Sequence, residues 1–486
     1  MSINSLITET HGKNLPTVRL KKAVINDFKS VEHGEIVLNC GRQFVPYGTE
    51  SDILGIYGQN GSGKTSFIEA LAIVGDLLGG SAVDDAYADC IAVGKEYAEL
   101  EFVFDLQYRN GIIREASYSF CIASRAATSE EITEKYKDAP NKFEIPSNES
   151  RVIVFNEKIT LDWEESFKKQ PIIDTSSEKN AFVPESKRKV IVGIGQNTLL
   201  QLKLNKELAY RTSKSFVFMK ETLEMFRNHD ANSIFYQVLV ELRHYAKYYL
   251  LVVGTKPSGI IMLNFALPIF TRKGKIMLDL NSPMLMPKHI ISEIRGIVKK
   301  ISDVLGQLVP GLAIDIKTIS ETMSKEGSPA ENTMLVSRRD GKEFPLRDES
   351  DGVRKIISIL SLIIASFNEQ SVTVAIDEFD AGIFEYLLGE ILQAMEQSGK
   401  GQFIFTSHNL RPLEVINKKF LYFTTTNPQK RYIRLKKIAA TNNLRDTFYR
   451  EIVLNEQEEQ IYNRTKRHKI ISALKQAGGI NNGEKA

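Results

Sequence analysis

Residues 53–74, ILGIYGQNGSGKTSFIEALAIV, constrain the fold more than any other part of the chain. Their centre, Gly58-Gln59-Asn60-Gly61-Ser62-Gly63-Lys64-Thr65, satisfies G-x-x-x-x-G-K-[ST] at every fixed position. The glycines let main-chain N–H groups turn inward around a phosphate, where a Cβ would stand in the way. Lys64 can reach terminal phosphates, and the Thr65 hydroxyl can ligate a magnesium ion. The flanks agree with this reading. Residues 53–57 predict a short buried strand, and from Thr65 the apolar residues Phe67, Ile68, Leu71, Ala72 and Val74 predict a helix whose N-terminus faces the anion.

A second apolar strand, 372–376, ends in Asp377 and Glu378. The first acid suits a place near a metal ion, and the second can polarise an attacking water. About 30 residues on, 403–406 repeats the layout and ends in Ser407-His408-Asn409. Open α/β sheets bind ligands at such carboxyl ends, where His408 can hydrogen-bond a phosphate or the water. Upstream, Glu349-Ser350-Asp351-Gly352-Val353-Arg354 opens a long apolar helix over 353–367. Ser350 and Gly352 read equally as an anion-binding helix start or as an ordinary N-cap. Gln107 lies near the end of an alternating strand over 97–105 and reads as a solvated strand end.

Other segments fill in the frame. Strands are expected over 17–28 and 34–38, then a polar loop over 41–52, and a hairpin from 97–105 to 112–119 through Arg109-Asn110-Gly111. Residues 124–190 are charged and weakly periodic apart from a strand at 152–155, and read as an irregular insertion. Helical spacing takes over in 197–253 and 290–305, with no heptad register long enough for a coiled-coil arm. The expected domains are 1–123, a mostly helical lid at 124–332, a second lobe at 333–440, and a basic helical extension at 441–486. From 430 to 486 there are 13 Lys/Arg against 6 Asp/Glu, a local excess of +7 beside +3 for the whole chain. That whole-chain charge does not by itself argue for nucleic acid.

At 486 residues the chain is long enough for two or three domains. Cys40, Cys90 and Cys121 lack metal spacing and fit reduced thiols in a cytoplasmic protein. No secretory leader and no 18-residue apolar run is seen, so no membrane partner is expected.

Taken together, the motifs resemble those of the ABC-type ATPase heads of the RecF, SMC and OLD families, above all the RecF/OLD-like ATPases of prokaryotic phage-defence systems. The resemblance runs over about 17–120 and 333–435, with Asn26-Asp27-Phe28-Lys29-Ser30 as an NFKS-like segment. It implies an α/β fold: a P-loop NTPase of ABC-ATPase head type, with a mixed β-sheet plus a parallel core sheet flanked by helices, and an inserted helical lid. It implies ATP and Mg2+ as ligands. Gly58, Asn60, Gly61, Ser62, Gly63, Lys64, Thr65 and Ser66 would cradle the phosphates, with Thr65 and Asp377 at the metal. Lys64, Glu378 as general base and His408 as γ-phosphate sensor would carry hydrolysis, and Ser350 and Gly352 would cap ATP held by a second copy. The signature reads ESDGVRK rather than LSGGQ, Phe384 stands in a usually polar slot after the acidic pair, and the resemblance makes Gln107 a candidate for the Q-loop glutamine beside its reading as a solvated strand end. No TOPRIM-like carboxylate block or HNH pattern is seen, so the implied role is a slow ATPase switch governing a separately encoded effector in anti-phage defence. The alternative is a RecF-like DNA repair or maintenance ATPase, with nucleic acid as partner. A transporter subunit fits poorly with the long insertion.

Overall fold

The apolar run ahead of the phosphate loop is buried on both faces, and the fold is built outward from it. A computed structural model describes residues 15–38, 52–135, 149–162, 171–193, 195–254, 266–271, 274–323, 327–435, 444–454, 457–463 and 465–479. The tail before residue 15, Cys40 and nearly all of the expected 41–52 loop lie outside the described residues.

Strands β1 (Thr17–Phe28) and β2 (Val31–Val37) pair antiparallel, and β3 (Asp52–Tyr57) leads through the phosphate loop into helix α1 (Lys64–Gly79). Next come β4 (Ala98–Gln107), β5 (Ile113–Ala126), α2 (Ser129–Lys135), β6 (Ser150–Leu161) and β7 (Pro171–Asp174). Helices α3 (Glu185–Val192), α4 (Gln196–Arg211), α5 (Lys220–Asp230) and α6 (Ile234–Tyr248) precede β8 (Leu250–Val253). A hairpin, β9 (Ala266–Thr271) and β10 (Gly274–Asp279), is followed by β11 (Met284–Pro287) and α7 (Lys288–Leu308). Strands β12 (Ala313–Met323), β13 (Pro329–Arg339) and β14 (Lys342–Pro345) lead to α8 (Asp351–Asn368). The chain continues with β15 (Thr373–Ile376), α9 (Glu385–Ser398), β16 (Gln402–Thr406), α10 (Pro412–Val415), β17 (Leu421–Thr424) and β18 (Tyr432–Ile433). Helices α11 (Leu444–Leu454) and α12 (Arg467–Gly479) close it.

The core sheet runs β18-β17-β3-β16-β15-β8, parallel from β17 to β8. An antiparallel sheet, β2-β1-β4-β5-β6-β7, lies across α1 from it. Along β3, Leu54 and Ile56 join Phe67, Leu71 and Val74 of α1 in one core, while Ile53 and Tyr57 join Ile356, Ile359 and Leu360 of α8 in the other. That two-residue alternation between two apolar layers is what a parallel strand covered on both faces requires. Each Leu or Ile buried this way contributes about 1.5–3 kcal/mol, enough to fix which face is which.

The expected parallel core sheet is present, beside an antiparallel one, but the segment 124–332 is not a separate lid. Strand β5 crosses the 123/124 boundary, and β6 and β7 extend the antiparallel sheet. Val238, Leu239 and Leu242 of α6 share the core of α1, β8 pairs with β15 inside the core sheet, and β13 crosses the 332/333 boundary. The cause lies partly in Asn156 and Glu157, whose polarity breaks the apolar pattern of β6. Asn156 takes a positive φ of 51° where the β5–β6 register shifts. Glu157 turns inward, accepting hydrogen bonds from the Tyr118 hydroxyl at 2.7 Å and the Phe216 N–H at 2.7 Å, and from the Ser215 hydroxyl. A bulged strand with a satisfied buried carboxylate looks like a loop in sequence.

Candidate nucleotide site

The loop between β3 and α1 closes around its own lysine. Lys64 Nζ donates to the carbonyls of Gly58 at 2.9 Å and Gln59 at 3.0 Å. Gly58 could be no other residue: it has φ 152°, and a Cβ would stand 1.7 Å from Thr424 Oγ1. Gly63 caps α1 in the left-handed conformation without a side-chain cap bond. The main-chain N–H groups of the first turn therefore face the loop, an arrangement suited to anions. Thr65 is half-buried and Ser66 buried, while Asn60 and Gly61 are exposed at the rim. Ser62 Oγ donates to the Gln59 carbonyl and also bonds Thr424, and the Tyr432 hydroxyl donates to the Gly63 carbonyl at 2.7 Å.

At the end of β15, Asp377 is 1% exposed. Its Oδ1 accepts from the Thr406 hydroxyl at 2.6 Å, and its Oδ2 has no hydrogen-bond partner. A buried carboxylate oxygen left unmatched is costly, and at a strand end beside a phosphate loop it fits a cation or its water. Among the described residues no cluster of three or more His, Cys, Asp or Glu could hold a metal ion. A magnesium ion here would need phosphate and water oxygens as well, which is the usual habit of that ion.

Glu378 is exposed and sits at a positive φ of 48°. Its main chain is gripped from both sides. The N–H donates to Thr406 Oγ1 at 2.8 Å, and the carbonyl accepts from Lys355 Nζ at 2.5 Å. His408 follows β16, and the N–H groups of His408 and Asn409 donate to Asp380 Oδ2 at 3.1 Å and 2.9 Å.

Electrostatics ties these groups into one site. Burial lowers the pKa of Lys64, opposed by the carboxylates of Asp377, Glu378 and Asp380. Burial, then the Lys64 charge, lowers His408 below its ordinary value, against the same three carboxylates. Lys355 is pushed down to about 8 by burial, again against Asp380, Glu378 and Asp377.

Ser350 and Gly352 stand apart at the start of α8. Ser350 is exposed and its hydroxyl accepts from the Val353 N–H at 3.4 Å, an N-cap within this chain. Gly352 packs so tightly on Gly382 that a Cβ would meet that residue's carbonyl oxygen at 2.2 Å. Phe384 is 73% exposed just beyond. Gln107 is not brought to the loop: it pairs with Thr17, at the far end of β1 from Val31, the residue beside Gly63. Twelve strand residues separate those ends by roughly 36 Å at about 3.3 Å each.

Residues 22–249 match a family model described as "AAA domain", and residues 199–414 match one described as "AAA domain, putative AbiEii toxin, Type IV TA system". The chain is similar to AAA-domain proteins through these two matches, each of which spans a little under half of it. The AAA-domain matches together take in the phosphate loop, Asp377, Glu378 and His408. Solved structures similar to it include the SMC head domain from Thermotoga maritima, at 14% identity and TM-score 0.36, covering 86% of this chain and 100% of that one. An Smc head domain derived from Pyrococcus furiosus, bound to the C-terminal domain of ScpA, has 12% identity and TM-score 0.37, covering 90% and 99%. The recombination mediator RecF with ATP has 11% identity and TM-score 0.32, covering 81% and 94%. No curated protein sequence matches the chain.

Thr406, Lys355, Asp380, Thr424 and Tyr432 are functional neighbours that motif reading missed. Thr406 and Asp380 adjoin the motifs and carry the polar atoms a strand end needs. Lys355 had one visible signal, a cation beside the mostly apolar run of its helix.

Proposed function

We propose that this protein binds Mg-ATP at the Lys64 loop and hydrolyses it slowly, as a switch for a separately encoded effector in anti-phage defence. The observation that carries the reading is the convergence of Lys64, Asp377, Glu378 and His408 at one end of the core sheet, with Asp377 Oδ2 left free. Gly58, Asn60, Gly61, Ser62, Gly63, Lys64, Thr65 and Ser66 would bind the phosphates. Lys64 would exchange its two loop carbonyls for phosphate oxygens. Thr65 and Asp377 would hold the magnesium ion, which when bound screens phosphate charge. Glu378 would accept the proton of the attacking water, and His408, kept neutral by its lowered pKa, would hydrogen-bond the γ-phosphate.

Ser350 and Gly352 would complete the site of a second copy, with ATP between two heads. The toxin–antitoxin wording of the matched family supports a role beside an effector, and the cytoplasm is the compartment we propose for it. No helix among the described residues is long and apolar enough to cross a membrane. The test is light scattering of Glu378→Gln with and without Mg-ATP. An ATP-dependent doubling of mass, lost on adding Ser350→Arg, is expected; a mass that stays monomeric refutes the ATP sandwich.

One observation favours the RecF-like alternative, in which the heads close over duplex DNA. Residues 467–477 of α12 are all exposed and carry Arg467, His468, Lys469 and Lys475 with no acid. DNA binding that weakens steeply with salt would support it, and absence of binding at low salt would exclude it.

A further inference from the structure

Lys355 belongs to the helix that begins with Ser350, yet its ammonium reaches away from that helix to the neighbouring strand end. It is 5% exposed and donates to the Glu378 carbonyl at 2.5 Å. The same carbonyl accepts from the Ala381 N–H at 3.1 Å, and the Glu378 N–H is held by Thr406 at 2.8 Å. The peptide groups on both sides of Glu378 are thus fixed while its side chain remains exposed. Its φ of 48° is a conformation that a non-glycine residue keeps only where the surroundings enforce it. One turn earlier on the helix, Gly352 lies against Gly382, so α8 touches this segment at two points.

We infer that Lys355 is a positioning residue for hydrolysis: it holds Glu378 in its left-handed conformation, so that the carboxylate is aimed at the attacking water only while α8 is seated. This rests on the ATPase reading above. It also gives the signature helix a route to the chemistry of its own copy. Whatever moves Ser350 and Gly352 moves Lys355, and with it the base. The bond goes to a main-chain carbonyl, so it requires a donor of lysine-like reach rather than a particular side-chain identity. Lys355 does not contact the phosphate loop through any hydrogen bond, so nucleotide affinity should be untouched.

The experiment is steady-state ATP hydrolysis and nucleotide binding by wild type, Lys355→Met, Lys355→Gln and Lys355→Arg, with folding followed by thermal melting. The expected result is a kcat lowered at least about tenfold in Lys355→Met and Lys355→Gln, with ATP affinity and KM within about twofold, because an interaction acting on the transition state alone shows in kcat. Lys355→Arg should recover part of the rate. Adding Lys355→Met to Glu378→Gln should lower the residual rate no further, since the two residues act as one unit. Should Lys355→Met fold poorly, the Arg variant and the double variant still decide the matter. Wild-type kcat in a folded Lys355→Met or Lys355→Gln variant, a change confined to KM, or additive losses in the double variant would overturn the assignment. A wild-type chain that binds ATP and never hydrolyses it would instead overturn the ATPase reading, and this inference with it.

Discussion

Replacing Gly352 by alanine tests the contact between the signature helix and the segment after the acidic pair. Gly352 is the second residue of α8, and an alanine Cβ there would lie 2.2 Å from the Gly382 carbonyl oxygen and 3.3 Å from its carbonyl carbon. Non-bonded atoms settle at about 3.5 Å, so the two backbones must part by about 1 Å. Neither neighbour is a side chain that can rotate away. Overpacking of this kind costs about 1–3 kcal/mol, while the helix gains at most about 1 kcal/mol from alanine. The expected net loss is up to about 2–3 kcal/mol in urea denaturation followed by circular dichroism. Asp380, which holds the His408 and Asn409 N–H groups, lies in the displaced segment. ATP hydrolysis should therefore fall. Gly296, exposed within α7 and with nothing within 4 Å of an added Cβ, is the control. Gly296→Ala should stabilise by up to about 1 kcal/mol. If Gly352→Ala proves as stable and as active as wild type, the close approach of the two segments is refuted.

Three further outcomes are expected. Lys64→Ala should lose nucleotide binding by at least about a hundredfold in calorimetry while staying folded, because one charge-assisted contact is worth about 1.5–3 kcal/mol and Lys64 would make more than one; unchanged affinity would refute the loop assignment. Thr406→Val should cost about 2–4 kcal/mol in denaturation, since it leaves a buried Asp377 carboxylate without its remaining donor and the Glu378 N–H without an acceptor; a loss below about 0.5 kcal/mol would contradict that network. Asp76 is raised to about 7 by burial and then by the neighbouring Asp84 carboxylate. Its ionisation in the fold is disfavoured, so stability is fully present below the unfolded value near 3.8 and is lost as pH rises toward about 7. Asp76→Asn should remove that loss, gaining on the order of 1–3 kcal/mol over wild type at pH 8 and less at pH 5. A difference that does not change with pH would refute the raised pKa.

The phosphate loop and the two strand ends were legible because their chemistry is local. Gly58, Gly61 and Gly63 directly follow the apolar run at 53–57, and the acids and the histidine directly follow the apolar runs at 372–376 and 403–406. What escaped was set by distant parts of the chain. Thr424 reaches the loop through Ser62, and Tyr432 through the Gly63 carbonyl. Nothing in either local sequence marks it as part of a phosphate site. The segment 124–332 was misread for a related reason. Four residues at 250–253 are too short to announce a core strand, and β8 is defined only by its pairing with β15. Gln107 was ambiguous because a glutamine at a strand end looks alike whether it faces a nucleotide or water. Only the register with Thr17 separates the two.

The order of strands in the core sheet also governs when the site can come into being. Strand β3 is flanked by β16 and β17, and Ser62 bonds a threonine 362 residues further along the chain. At a synthesis rate of about 5–20 residues per second, the ribosome needs roughly 20–70 s to deliver that partner after the loop itself has emerged. Until then β3 is an apolar strand with both edges open, an aggregation hazard for as long as it lacks its neighbours. A fragment that ends before Leu421 would contain the whole glycine-rich motif, yet it would have no β17 and no Thr424 against which to shape it. The growing chain therefore carries its first motif without those partners through most of its own synthesis.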